Sequence, residues 1–191
     1  MTTLILAIVI GGAFGFMLDR VGATNPNFIV GMLRLSNLHL MKTIMLAIGT
    51  ASVLVHLGLL AGVIDPGHLD VKDAYLGVFI GGILLGIGFA IAGYCPGTGL
   101  AAAATGRWDG ISYVIGGLAG AAAYMASFAW VKSTGVLDHI LGGKATLGPL
   151  AGTKYPAVFG GIPGEWLGLV LGVVFIAIAV LLPARLRGNA D

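Results

Sequence analysis

Charge is what this chain has least of. Only 9% of its 191 residues are Asp, Glu, Lys or Arg, against about 25% in soluble globular domains. With 58% hydrophobic residues and a mean hydropathy of +1.00, a soluble domain is excluded and an integral membrane protein is implied. Cysteine is almost missing as well. A single one, Cys95, rules out an internal disulfide framework and any cysteine-rich metal centre. His39, His68 and His139 fall at spacings that match no metal motif, so neither metal nor cofactor is expected. The basic residues are scattered and the formal net charge is only +2, which argues against a nucleic-acid partner. The alternating polarity of a membrane β-barrel is absent too.

Glycine is abundant. The 33 glycines suit helices that pack closely in lipid, and the fold class expected is all-α: a polytopic membrane helix bundle with about five spans plus short re-entrant half-helices, a single membrane domain over 1–191. Spans are expected at about Thr3 to Leu18, Leu40 to Ile64, from Ala74 onward, Gly110 to Val131 and Glu165 to Leu182. The first has no basic segment before it and reads as a span rather than a processed targeting peptide. Phe28 to Leu35 is apolar but too short to cross, so it reads as a half-helix or an interfacial one. Gly116 and Gly120 fit a small-xxx-small packing face on the fourth span. Lys132 to Pro163 reads as a loop of about 30 residues, and Pro183-Ala184-Arg185-Leu186-Arg187 ends the last span.

The third apolar run sets the organisation. From Ala74 to Ala104 it would make a straight helix of roughly 46 Å, longer than the roughly 30 Å hydrocarbon core, yet it is too short for two spans and a turn. One span followed by a half-helix is the remaining solution. The break falls at Gly93-Tyr94-Cys95-Pro96-Gly97: Pro96 has no amide hydrogen and disfavours helical geometry at Cys95, while Gly93, Gly97 and Gly99 permit unusual backbone angles. Thr98 is expected to cap a half-helix over Gly99 to Ala104. Its N-terminal end, facing Cys95, would favour a thiolate or an incoming anion, as the broken helices of transporters do. Against this stands the plain reading of Cys95 as a small buried hydrophobe.

Other polar residues divide in the same way. His56, inside the second span, is a functional candidate, or else lies near enough to the span's end to bond water or a carbonyl. Arg107 and Asp109 form a cytoplasmic loop and read first as an ion pair tying the half-helix to the fourth span, second as a release point. Tyr94 and Trp108 read as packing and interface anchors, and Glu165 and Trp166 as the structural opening of the last span. A weak repeat, about 1–64 and 74–132 with the last span 165–183 outside it, aligns Gly11-Gly12 with Gly81-Gly82 and Pro26 with Pro96, which puts Asn25 where Cys95 stands. Arg20, Arg34, Lys42, Arg107, Arg185 and Arg187 near span ends on one side outnumber Lys72, Lys132, Lys144 and Lys154 on the other, placing the N-terminus outside and the C-terminus in the cytoplasm.

Gly93-Tyr94-Cys95-Pro96-Gly97-Thr98-Gly99 with Gly106-Arg107-Trp108-Asp109-Gly110, and Gly12-Ala13-Phe14-Gly15-Phe16-Met17-Leu18-Asp19-Arg20, resemble two signatures of the YeeE/YedE family of sulfur-compound transporters. The resemblance implies a permease in a bacterial inner membrane for thiosulfate, sulfide or a polysulfide or persulfide species. Members resembling the thiosulfate importer are about twice this length, with helices dipping in from both faces and several central cysteines. This chain resembles a half-length member, which implies a homo-oligomer or a paired half-transporter. It departs from the family where a cysteine often follows the first-span arginine, for Thr24-Asn25-Pro26 stands there. The substrate-contacting set implied is Cys95, Gly97, Thr98, Gly99 and Tyr94, with His56 and Asn25 as further candidates and Gly93 and Pro96 as the structural break. No enzyme is expected. The competing readings are a sulfur-transfer relay that carries a persulfide on Cys95 to a cytoplasmic acceptor, and a non-transporting partner subunit.

Overall fold

The computed structural model describes residues 1–150, 153, 155–183 and 185. Lys154, Ala184, Leu186 and Arg187, which entered the readings above, lie outside them, as does the side chain of His68. The element order is α1 (Thr2–Arg20), α2 (Pro26–Leu33), α3 (His39–Leu60), a 3-10 turn (Pro66–His68), β1 (Asp73–Tyr75), α4 (Leu76–Ala92), α5 (Pro96–Ala104), α6 (Trp108–Ser133), β2 (His139–Lys144) and α7 (Gly164–Leu181). Among the described residues five helical segments are long and apolar enough to cross a membrane, with Leu76–Ala104 counted as one of them. The chain is an all-α polytopic membrane protein with one very small sheet.

The third run breaks where glycine and proline require it. Gly93 has φ +69°, a left-handed conformation that side chains resist, and Cys95 is extended at φ −88°, ψ 166°. The nine residues of α5 reach only roughly 14 Å and cannot cross the bilayer. One expectation is corrected here: the half-helix starts at Pro96 and its N-cap is Cys95, with Thr98 at the third helical position. Proline's fixed φ suits the first turn, where its missing amide hydrogen removes nothing.

The chain divides into two compact units, residues 1–40 and 83–130 with the described residues after 182, and residues 41–82 with 131–182. In the first, the buried side chains belong, apart from Leu40 at the start of α3, to the short elements and their connections: Ala23, Thr24, Ile29, Met32, Leu38, Tyr94, Thr98 and Ala102. The long helices contribute little. α1 has no buried residue and α6 only Gly110. The expected packing face at Gly116 and Gly120 therefore finds no partner among the described residues: a Cβ at either would meet nothing within 4 Å.

In the second unit the close helix packing runs along α7 instead. Gly164, Gly168 and Gly172 form a four-residue repeat that admits neighbouring backbone closely. A Cβ at Gly172 would lie 2.9 Å from the Gly49 carbonyl oxygen of α3, and one at Gly49 would lie 2.7 Å from the Gly172 carbonyl oxygen. The supposed loop between α6 and α7 is also partly ordered. β2 pairs antiparallel with β1, Asp73 opposite Lys144 and Tyr75 opposite His139, and Thr146 bridges Ala157. A connection this long satisfies its backbone groups by pairing with its neighbours, a non-local contact that no local pattern signals. Asp70 pairs with Lys72 and, at 3.9 Å, with Lys144.

Candidate functional site

Cys95 sits in a reciprocal cap. The Thr98 amide donates to Cys95 Sγ at 3.4 Å, and the Cys95 amide donates to Thr98 Oγ1 at 2.9 Å. Thr98 Oγ1 also lies 3.2 Å from both Cys95 Sγ and the Cys95 carbonyl oxygen, so its one proton has two acceptors to choose from. Sulfur thus takes the place that Ser or Thr oxygen fills in a capping box, held at the positive end of a half-helix. Thr98 is 5% exposed, while the thiol residue itself is half-buried and free.

The half-helix is seated on α6 by glycine. A Cβ at Gly99 would stand 2.2 Å from the Tyr113 ring, and one at Gly110 would stand 2.6 Å from the Ala103 nitrogen, so both positions demand the missing side chain. Gly97, by contrast, faces open space.

Tyr94 is more than a packing residue. At 2% exposure it donates its hydroxyl to Asp109 Oδ2 at 2.9 Å and accepts from Arg107 Nε at 3.3 Å. Arg107 in turn holds Asp109 through Nε to Oδ1 at 3.1 Å and Nη2 to Oδ2 at 2.8 Å, the two-pronged geometry that favours arginine with a carboxylate. The Asp109 carboxylate and then the Tyr94 hydroxyl raise the Arg107 pKa above its already high value, so the guanidinium stays charged. The three side chains tie the residue before Cys95 to the start of α6, closing a clasp around α5. Trp108 between them is 82% exposed.

The other break has the same form. Asn25 is the N-cap of α2, its side chain accepting from the Asn27 amide at 3.0 Å, with Pro26 at the first helical position. Thr24, buried beside it, donates to Asp19 Oδ1 at 2.7 Å. The two breaks also touch, for a Cβ at Gly93 would fall 2.9 Å from the Pro26 Cβ. Asn25 thus belongs to the neighbourhood of the Cys95 break. An apolar groove of about 640 Å³ runs between α1 and α5, lined by Gly11, Gly12 and Gly15 on one side and Gly97, Ala101 and Ala104 on the other.

His56 belongs to the second unit, in other surroundings. Its Nδ1 lies 2.8 Å from the Ser52 carbonyl oxygen, and Ser52 Oγ donates to the Gly168 carbonyl at 2.8 Å. Tyr113 and Ser52 are not legible in the sequence. An isolated aromatic or hydroxyl inside a span carries no local signal, and only the partner across the helix interface gives it a role. Among the described residues no group of three or more His, Cys, Asp or Glu is placed to hold a metal ion.

A family model described as sulphur transport matches residues 25–190. That range holds both breaks and the Tyr94 clasp, and leaves the first-span motif outside. No curated protein and no solved structure matches the chain.

Proposed function

This chain belongs to the sulphur transport (YeeE/YedE) family, and on that premise we propose that it is a membrane permease for a small reduced sulfur compound, which passes a constriction at Cys95. Thiosulfate, sulfide and polysulfide or persulfide species all suit a soft sulfur contact. The observation that carries the reading is the cap itself: Cys95 Sγ, rather than an oxygen, stands at the half-helix end with the Thr98 amide and hydroxyl beside it. A sulfur-bearing anion arriving there meets the helix's positive end for its charge and a polarisable thiol for its sulfur. Binding is through S–H to sulfur hydrogen bonding, and Arg107 and Asp109 hold the half-helix without taking part.

We place the chain in a bacterial inner membrane with its N-terminus outside, and we take the working unit to be an oligomer. The glycine face of α6 at Gly116, Gly117 and Gly120, where an added Cβ would meet no described atom within 4 Å, supports assembly, since such faces pack against other helices in lipid.

Uptake of labelled thiosulfate, and then sulfide, by cells lacking their own importers tests the proposal. Cells expressing the chain should accumulate label, and Cys95→Ala at equal membrane abundance should not. Equal uptake by the two would reduce Cys95 to packing.

A further inference from the structure

The unit without Cys95 holds a cavity of its own, of about 240 Å³. It lies between the last turns of α3, the first turns of α7 and the segment that follows β2. Its polar side chains are Ser52, His56 and Thr146; the remainder of the lining is glycine and leucine.

Two of the three carry unused hydrogen-bonding capacity. The Ser52 carbonyl can only accept, so its 2.8 Å contact puts the imidazole proton on His56 Nδ1. Nε2 of a neutral ring is then a bare acceptor, and no described group bonds it. Thr146 Oγ1 is buried with no hydrogen-bond partner, which is costly inside a protein unless something else fills the site. Gly168 makes room for the ring, since a Cβ there would stand 2.0 Å from Nε2.

The lining contains no Lys, Arg, Asp or Glu. Glu165, one residue from lining Gly164 on α7, and Lys144, two residues before Thr146, are the nearest charges along the two segments that close the cavity. Among the described lining residues an anion entering here therefore meets no fixed cation, and the positive charge they can supply is a proton on Nε2. A protonated Nε2 and the Thr146 hydroxyl would each donate to it, a charge-assisted bond and a neutral one. The volume is below the roughly 300–1,000 Å³ of sites for drug-sized molecules, which limits the ligand to a few heavy atoms.

We infer that Ser52, His56 and Thr146 form a second binding site, which takes one small inorganic sulfur anion together with one proton. The identity of the anion rests on the transport reading above; the pairing with a proton rests on the cavity alone. The step is one of association only: one proton leaves bulk water for Nε2, the anion occupies the cavity beside it, and no covalent bond between heavy atoms changes.

Calorimetric titration of the purified full-length chain in mild detergent with sodium thiosulfate and with sodium hydrosulfide, in two buffers of different ionisation heat slightly above neutral pH, reads the protons taken up per chain at saturation. Wild type should take up close to one. His56→Gln should take up none and bind about tenfold more weakly or worse, while Thr146→Val should keep the proton and lose several-fold in affinity. Glu165→Gln should keep proton uptake, each variant being checked for an unchanged melting temperature. Thr146→Val, which keeps the imidazole in place, stands in should His56→Gln fail that check. Proton uptake that survives His56→Gln or vanishes in Glu165→Gln, a Thr146→Val that binds as wild type, or no proton-linked binding of either anion, overturns the inference. Uptake into cells unaffected by Cys95→Ala, with His56-dependent proton uptake intact, would instead defeat passage by way of Cys95 and leave this site standing.

Discussion

At Cys95 one sulfur atom caps a helix and, in the proposed path, meets the solute, and substitution can separate the two. Serine caps at least as well as cysteine, so Cys95→Ser should hold or raise the melting temperature of the purified protein while abolishing sulfur-compound uptake. Alanine removes both roles. Thr98→Ala loses the acceptor for the Cys95 amide and the hydroxyl beside Sγ, and should cost about 0.5–2 kcal/mol of stability as well as uptake; Thr98→Ser should restore most of each. Tyr94→Phe leaves Asp109 and Arg107 paired but removes a buried hydroxyl from between them, a change of about 1 kcal/mol that thermal unfolding would detect. Cys95 and its proline were legible in the sequence because proline and glycine act locally. Tyr94's role was not, because its partner Asp109 acts across a turn in space.

Among the elements, α5 depends on two glycines that have no conformational duty. Gly99→Ala would drive a methyl into the Tyr113 ring and Gly110→Ala would drive one into the Ala103 backbone, so each should unseat the half-helix. Overpacking of this kind costs about 1–3 kcal/mol, and the thiol in these variants should react faster with a membrane-impermeant maleimide than in wild type. The half-helix could be read from chain length alone, since 31 apolar residues fit neither one span nor two. Its cap was misplaced by three residues because Thr98 is the better capping residue by type, whereas Pro96 decides where the helix begins. The β1–β2 pair was missed for a different reason. Asp73 to Tyr75 and His139 to Lys144 lie far apart in sequence, and neither segment alternates in polarity strongly enough to announce a strand. On α7, Gly164, Gly168 and Gly172 pack as the fourth span's Gly116 and Gly120 were expected to. Both helices carry the spacing, and only contact with α3 distinguishes them.

For the molecule as a whole, composition alone established the membrane-protein class, and the family match agrees with the motif read at the break. The first unit keeps its burial in the half-helices and their connections, while α1 and most of α6 face outward. Lipid or other chains must cover those faces, and a permeation path needs walls. Light scattering in mild detergent should therefore give a protein mass at least twice the 19.4 kDa of one chain, and Gly116→Leu with Gly120→Leu should lower it toward one; a wild-type monomer that transports would remove assembly from the reading. Transport past a sulfur atom makes its sharpest claim in reconstituted vesicles. Wild type, Cys95→Ser and Cys95→Ala at equal protein density, loaded against labelled thiosulfate and then sulfide, should show uptake for the first alone, with Cys95→Ser as stable as wild type. Uptake by Cys95→Ser equal to that of wild type would show that the position needs only a cap, and would contradict passage by way of the thiol.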